Sequence, residues 1–180
     1  NEETAVESVM MAGASGERFL LQFSGGEPLL RFPLIRKLVH AVEENHFNAQ
    51  MQIQTNGSLL TRDIGRFLYD HGVGIGISCD GRPSVMDRTR PVKDGSSSSK
   101  AAARGFRHLA EEGIGTGITC VVTDDMVNDL PGIADMAHFY GNVHQVGFDI
   151  LREQGRGESL HEPSARDMEK ALEAVYNRMA

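Results

Sequence analysis

Hydrophobic and polar residues follow two alternating periods along the chain. Apolar residues alternate with polar ones, as in β-strands, in residues 19–23, 50–54, 73–79, 115–122 and 145–151. Between these runs apolar residues recur at helical spacing, which predicts helices over residues 33–47, 61–71, 98–112, 130–140 and 164–180. Strands and helices that alternate with short connections are typical of parallel βαβ units.

The residues at the predicted helix boundaries agree with this assignment. Thr61 and Ser164 stand where N-cap hydroxyls accept backbone hydrogen bonds, and the serines at 96–99 precede another helix as its cap region. Gly72, Gly113 and Gly141 follow three predicted helices, where glycine commonly ends a helix in the left-handed conformation.

The two faces of the predicted strands differ in polarity. In residues 73–79 apolar side chains alternate with Gly74, Gly76 and Ser78, and in residues 50–54 they alternate with glutamines. The apolar face must pack against the helices, so the other face is lined by glutamine and glycine. A filled, closed barrel would carry Val, Ile and Leu there. The pattern predicts an open or partial barrel with a ligand-holding interior; a sheet with one solvated face is the alternative.

Two glycine-rich runs, at 72–79 and 113–120, repeat the pattern G-x-G-x-G. Both runs enter strands, whereas ligands of parallel α/β folds bind where the strands end. Neither run matches the G-x-G-x-x-G of dinucleotide-binding folds. They are therefore interpreted as a repeated strand–helix unit and not as a cofactor site.

Length and composition narrow the classes of function. The chain has 180 residues, the size of one domain, and 40% hydrophobic with 24% charged residues is an ordinary globular balance. A net charge of −7 argues against nucleic acid bound through a broad basic surface. The sequence has no apolar run long enough to span a membrane and no signal-peptide pattern. Two cysteines, Cys79 and Cys120, form no disulfide framework, which favours the cytoplasm.

Candidate ligand-binding groups follow the predicted strands. The segment Gly25-Gly26-Glu27 combines close backbone approach with a carboxylate that suits an ammonium group. A turn rich in donors and acceptors follows the second strand, and a loop with Arg82, Arg88 and Arg90 follows the third, where one arginine could clamp a carboxylate. Together these groups describe a zwitterionic, amino-acid-like ligand.

These segments carry a family resemblance. Gly25-Gly26-Glu27-Pro28, Thr55-Asn56-Gly57, Ser78-x-Asp80-Gly81 and Asp87-x-x-Arg90, in that order, resemble the radical S-adenosylmethionine (radical SAM) superfamily. The most similar branch contains the anaerobic sulfatase-maturating enzymes and the peptide-modifying enzymes with a C-terminal iron–sulfur (SPASM) region. The resemblance covers residues 19–151 and implies a partial (β/α)6 TIM-like barrel.

The resemblance also implies roles for particular residues. Gly25, Gly26 and Glu27 would hold the amino group of S-adenosylmethionine (SAM). Ser78 and Arg90, later in the sequence, would also contact SAM. Leu151, or Ile150 as the alternative, would pack on the adenine. Supporting roles would fall to two more residues, Asn56 and Asp80. The sequence indicates no catalytic acid or base.

The cluster motif of the family is absent from this sequence. Radical SAM enzymes bind a [4Fe–4S] cluster through C-x3-C-x2-C, and Cys79 and Cys120 do not form that motif. They are interpreted as small buried residues, so no metal ligand is assigned. Residues 3–12 resemble the helix after the cluster loop. We therefore expect residues 1–180 to be a core-domain fragment, about strands two to six, with the cluster loop upstream, the second iron–sulfur region downstream, and no activity of its own.

The implied function is that of a radical SAM oxidoreductase. Its expected partners are a peptide or protein substrate and an electron donor such as flavodoxin or ferredoxin, with neither nucleic acid nor membrane. Two alternatives stay open. One is a cluster-free barrel enzyme acting on a small zwitterion, and the other is a non-catalytic SAM-binding or interaction module.

Overall fold

The structure is a computed structural model that describes residues 1–151 and 160–179. Seven helices are described: α1 (Glu2–Ala14), α2 (Phe32–Glu44), α3 (Arg62–Asp70), α4 (Pro83–Thr89), α5 (Ser98–Glu111), α6 (Gly132–Tyr140) and α7 (Ala165–Met179). The strands are β1 (Phe19–Phe23), β2 (Ala49–Thr55), β3 (Val73–Ser78), β4 (Thr116–Val122) and β5 (Val143–Ile150). The alternating order predicted from the hydrophobic pattern is confirmed.

The five strands form one parallel sheet in the order β1-β2-β3-β4-β5. The sheet is not closed, so β1 and β5 are its edges among the described strands. Because consecutive strands are parallel neighbours, each carboxyl end lies at the same edge of the sheet. This is the partial α/β barrel that the strand faces predicted.

One face of the sheet carries the hydrophobic core. Apolar side chains of β2, β3 and β4, among them Ile53, Ile77 and Ile118, are almost fully buried with residues of the helices such as Phe106 and Leu109. Cys79 and Cys120 belong to this cluster, and their prediction as small buried residues is confirmed. The opposite face leaves the glutamine and glycine positions open.

The predicted capping residues are confirmed by hydrogen bonds and backbone angles. Thr61 accepts from the amide of Ile64, Ser97 caps α5 through the amide of Lys100, and Ser164 accepts from the amide of Asp167. The helix-terminating glycines Gly72, Gly113 and Gly141 have φ of 68°, 67° and 72°, which only glycine adopts without strain.

The prediction of a loop after the third strand is wrong over residues 83–89, which form helix α4. Its seven residues are too few to show a helical period, although Pro83 suits a first turn. Two short 3-10 helices, Pro28–Arg31 and Val127–Asp129, were also not predicted. Helix α2 begins one residue earlier than expected and ends at Glu44, three residues before the predicted end.

Within the described ranges, no helix combines the length and apolar character that a bilayer span requires.

Candidate functional site

Glu27 joins the carboxyl ends of the first two strands. It follows β1 and caps the short 3-10 helix, where its Oε1 accepts from the amide of Leu29 at 3.1 Å. The same oxygen accepts from Thr55 Oγ1 at 2.7 Å, and Oε2 accepts from the amide of Asn56 at 2.8 Å. A carboxylate offers about four acceptor positions, so Glu27 keeps room for one further donor.

Gly25 and Gly26 leave backbone open beside this carboxylate. Gly25 has φ of 137°, and a Cβ added to either glycine would meet no atom of the described chain within 4 Å. Asn56 completes the segment by accepting from the amide of Ser58 at 2.8 Å, an Asx turn. The structure therefore brings four predicted site residues to one corner of the sheet.

Ser78, the last residue of β3, is held by a side chain that the sequence analysis did not single out. Gln54 of β2 donates from Nε2 to Ser78 Oγ at 3.1 Å, and Gln54 Oε1 accepts from Thr119 Oγ1 of β4 at 3.0 Å. The Gln54 amide thus joins a hydroxyl of β3 to a hydroxyl of β4. A Cβ at Gly76 would lie 2.5 Å from Gln54 Oε1, so this bridge requires glycine at that position.

Asp80 and Arg90 form a bidentate ion pair just beyond β3. Arg90 Nε donates to Asp80 Oδ2 at 2.7 Å and Nη2 to Oδ1 at 2.9 Å, while Thr89 Oγ1 also donates to Oδ2. The carboxylate is 3% exposed. Burial disfavours the charge of Arg90, but its hydrogen bonds and attraction to Asp80 outweigh burial and raise its pKa. Arg90 is therefore a fixed cation, and two of its five N–H groups are bound by acceptors among the described residues.

The other two arginines of this region are engaged elsewhere. Arg82 pairs with Asp135 of α6 at 2.6 Å, and Arg88 lies 3.7 Å from Asp125 and 3.6 Å from Asp129. All three ion pairs are half-exposed. Of the three arginines considered as carboxylate clamps, Arg90 is the one held by a buried partner.

Leu151 directly follows β5 and is buried, as an apolar contact for a ligand at this edge would be. The side chain of Ile150, the alternative, lies outside the described residues.

The open face of the sheet forms a concave cavity of about 540 Å³. Glutamines and glycines of all five strands line it, with Thr119 and Asp149 near the carboxyl edge. Asp149 is the one ionisable residue among the described lining residues. Gln54, Thr119 and Asp149 are site residues that the sequence analysis missed. The alternation along the strands could have identified them, because each occupies a position whose side chain faces the open side of the sheet.

Cys79 and Cys120 lie on the helix side of the sheet, away from this cavity. Burial raises the pKa of Cys79 to about 11, and burial likewise raises the pKa of Cys120 well above its usual range. Neither thiol is an available thiolate at neutral pH.

One group of potential metal ligands occurs among the described residues, on the outer helices. His40, Glu43 and His71 place ligand atoms within 4.8 Å of one another. His71 Nδ1 lies 2.7 Å from Glu43 Oε1, which joins α2 to the end of α3. None of the three residues lines the cavity.

No protein-family model matches the chain. It is 33% identical over 157 residues to an uncharacterized protein of Methanocaldococcus jannaschii, covering 84% of this chain and 53% of that protein. A serine-type anaerobic sulfatase-maturating enzyme of Klebsiella aerogenes is 32% identical over 128 residues, which are 69% of this chain and 31% of the enzyme. The radical SAM cyclopropyl synthase TigE of Paramaledivibacter caminithermalis is 29% identical over 147 residues, covering 81% of this chain and 30% of TigE.

Solved structures of radical SAM enzymes share the fold. The structure of anSMEcpe with bound AdoMet and the Kp18Cys peptide matches with a TM-score of 0.77 at 19% identity, over 96% of this chain and 50% of that one. Streptococcus suis SuiB bound to S-adenosylmethionine matches with a TM-score of 0.72 at 16% identity, over 98% and 40% of the two chains. The chain thus spans about half or less of the proteins it resembles, and it belongs to the radical SAM superfamily, among relatives of the sulfatase-maturating and peptide-modifying type.

Proposed function

We propose that this protein binds SAM at the carboxyl edge of its sheet and acts on a peptide or protein substrate as part of a radical SAM enzyme. The observation that carries the proposal is that Glu27, just after β1, lies at the same edge of the sheet as Ser78 and Arg90, at and just beyond the end of β3. Each of these side chains is held by a separate partner, so the three are oriented before any ligand arrives. Gln54, the partner of Ser78, also lines the open cavity.

A zwitterionic amino-acid group fits this edge. In the proposal the ammonium group binds the remaining acceptor capacity of Glu27 and the open backbone at Gly25 and Gly26. The carboxylate binds the free N–H groups of Arg90 and the hydroxyl of Ser78. Asp80 and Gln54 act as positioning residues, because they fix the arginine and the serine without occupying all their hydrogen-bonding groups.

The cysteines of the chain do not fit an iron–sulfur cluster. Cluster ligands are thiolates facing an open site, whereas Cys79 and Cys120 are buried protonated thiols on the helix side of the sheet, near the Asp80–Arg90 pair. We therefore assign no step of the reaction to a cluster held by these two residues. A [4Fe–4S] cluster in the complete enzyme would need other ligands, and a flavodoxin or ferredoxin as electron donor stays a prediction.

The peptide substrate is supported by the names of the relatives. One relative is named as a sulfatase-maturating enzyme and another as a cyclopropyl synthase. Two of the similar solved structures contain a peptide, Kp18Cys in one and the precursor peptide SuiA in the other. The cavity of this chain is large enough to admit several residues of a chain and is open to solvent along the sheet.

SAM binding can be tested directly by titration calorimetry on the 180-residue chain. We expect Ser78→Ala to weaken SAM binding by about two- to tenfold, the effect of one hydrogen bond. Arg90→Lys should weaken it by about tenfold or more, because lysine cannot contact Asp80 and a ligand carboxylate with a planar fork.

Arg88→Ala is the matched control, since it removes a neighbouring arginine that forms exposed ion pairs and one exposed hydrogen bond to the Asp125 carbonyl, and it should leave SAM affinity unchanged. Circular dichroism melting of each variant separates lost binding from lost folding. Equal SAM affinity in the wild type, Ser78→Ala and Arg90→Lys would contradict the proposed site.

A further inference from the structure

Three glycines on the open face of the sheet are not required by the fold. A Cβ on Gly74 would lie 3.7 Å from the Met51 carbonyl oxygen, and one on Gly147 would lie 3.8 Å from that of Ile118. For Gly117 the nearest atom is the Gln145 carbonyl oxygen at 3.7 Å. These are ordinary contacts, and none of the three has a positive φ. Alanine would fit at each position within the described chain.

Glycine in the interior of a strand lowers stability, because it gains conformational freedom on unfolding and has no side chain to pack. A strand glycine that the fold does not need therefore points to something that approaches the backbone from outside. Gly76 differs, since Gln54 already occupies its space. Gly117 follows an irregular step in strand pairing, so Gly74 and Gly147 carry the inference most directly. We call Gly74, Gly117 and Gly147 the glycine floor.

Amide side chains border the glycine floor in register. Gln52 pairs with Gly74, Gln22 pairs with Gln52, and Gln145 pairs with Gly117. These glutamine side chains line the cavity and make no side-chain hydrogen bond to the described residues. Each amide presents an acceptor oxygen and two N–H donors. The cavity therefore offers donors and acceptors beside a strip of backbone that no side chain covers.

The charge of the cavity lining further restricts the chemical class of ligand that it could bind. The described lining holds no lysine, arginine or histidine, and Asp149 at the carboxyl edge is its single ionisable residue. A phosphate group would find no cation there. An uncharged group that carries its own donors and acceptors matches the lining, and a peptide main chain is such a group.

We propose that the glycine floor binds the main chain of an extended, uncharged segment of the substrate peptide. The segment lies on the backbone of Gly74, Gly117 and Gly147, and its N–H and C=O groups pair with Gln22, Gln52 and Gln145. A methyl group on the floor would lift the segment away from these amides. The inference rests on the proposed function for its peptide substrate, but it assigns a separate surface from the SAM edge.

The test uses the uniformly ¹⁵N-labelled chain and N-acetyl-triglycine amide, a peptide main chain without side chains or charge. The probe should shift the backbone signals of the glycine floor and the side-chain amide signals of the three glutamines. Gly74→Ala combined with Gly147→Ala should weaken probe binding by about tenfold, the loss of one or two amide hydrogen bonds. The same double variant should unfold at an unchanged or higher denaturant concentration.

Ile75→Val is the matched control. Ile75 neighbours Gly74 on the same strand and its backbone borders the cavity, but its side chain is buried on the helix side. It should lower the denaturation midpoint and leave probe binding unchanged. The double alanine variant should thus lose probe binding and keep its stability, whereas Ile75→Val should lose stability and keep probe binding.

Three outcomes would overturn the inference. They are probe shifts that avoid the cavity, unchanged probe binding in the folded double alanine variant, and shifts caused by adenosine but not by the peptide probe. SAM titration of the same variant keeps this test separate from the proposed function. SAM binding that persists in this variant while probe binding is lost supports the glycine floor, and a wild-type chain that binds the probe but not SAM counts against the SAM edge alone.

Discussion

At the scale of single residues, the site is built from polar pairs in which one partner fixes the other. Asp80 holds Arg90 with two hydrogen bonds, and Gln54 holds Ser78 with one. Removing one partner of a buried ion pair costs about 3–5 kcal/mol, because the remaining charge is left without compensation. Asp80 therefore matters to folding as well as to the position of Arg90.

The two cysteines give a prediction about reactivity. Burial raises the pKa of Cys79 to about 11 and keeps that of Cys120 high, so both are thiols at pH 8. We expect iodoacetamide to modify neither residue in the folded chain and both in guanidinium chloride, as measured by intact mass. Rapid alkylation of either cysteine without denaturant would contradict the buried position.

Single residues were predictable from the sequence where a motif marked them. The segment with Glu27 and the strand ends with Asn56, Ser78 and Asp80 were located correctly as strand-end positions. Their hydrogen-bond partners were not predictable. Gln54 contacts Ser78 and Thr119 only because parallel pairing brings β2, β3 and β4 into register, which is a property of the folded sheet.

At the scale of elements, α4 and α5 are joined by a carboxylate. Asp87 near the end of α4 accepts from the amide of Ser99 at 2.8 Å and from the hydroxyls of Ser97 and Ser98. It thus satisfies a free amide in the first turn of α5, alongside the Ser97 cap. The resemblance contained Asp87 as a motif residue, and its contacts in the structure are those of a helix cap.

Asp87 gives a prediction about stability and pH. Its hydrogen bond from the Ser99 amide lowers the pKa of the folded carboxyl below its ordinary value. The stabilisation is therefore present above the unfolded pKa, about 3.9, and is lost as pH falls through the lower folded pKa. Asp87→Ala should reduce the free energy of unfolding by about 1 kcal/mol at pH 7.

The measurement is urea unfolding of the wild type and Asp87→Ala at pH 7 and near pH 3. The difference between them should shrink at the acidic pH. Glu7→Ala, which removes an exposed carboxylate of α1, is the control and should show a difference near zero at both values. A loss of stability in Asp87→Ala that is the same at both pH values would argue against the charged cap.

Elements were predictable in proportion to their length and regularity. Long amphipathic segments such as α5 were placed within one residue, because several turns repeat the same apolar spacing. Helix α4 was missed because seven residues show fewer than two full turns. Strand β5 begins two residues before its predicted start, beside the irregular pairing at Thr116 and Gly117.

At the scale of the whole molecule, the open sheet leaves β1 as an edge. The strand carries Leu20, which is 54% exposed on the open face. An exposed edge with an apolar side chain is a template for pairing with another strand. The resemblance predicts that a strand of the family barrel occupies this position in longer relatives.

The edge gives a prediction about association. We expect the 180-residue chain to show a concentration-dependent increase in apparent mass, measured by size-exclusion chromatography with light scattering. Leu20→Lys should reduce this association, since a charge on an edge strand disfavours pairing. Leu30→Lys, at a more exposed leucine outside the sheet, should reduce it much less. Association that both variants reduce equally would point to general surface hydrophobicity.

The bridge from Gln54 to Ser78 and Thr119 has a mechanical consequence. The Gln54 side chain extends from β2 to one hydroxyl on β3 and to another on β4, so the carboxyl ends of β2, β3 and β4 are tied by a side chain as well as by the backbone ladder. A ligand that pulls on Ser78 also strains the contact to Thr119. The three strand ends therefore resist displacement together, and this edge of the sheet is stiffer than its open topology alone would make it.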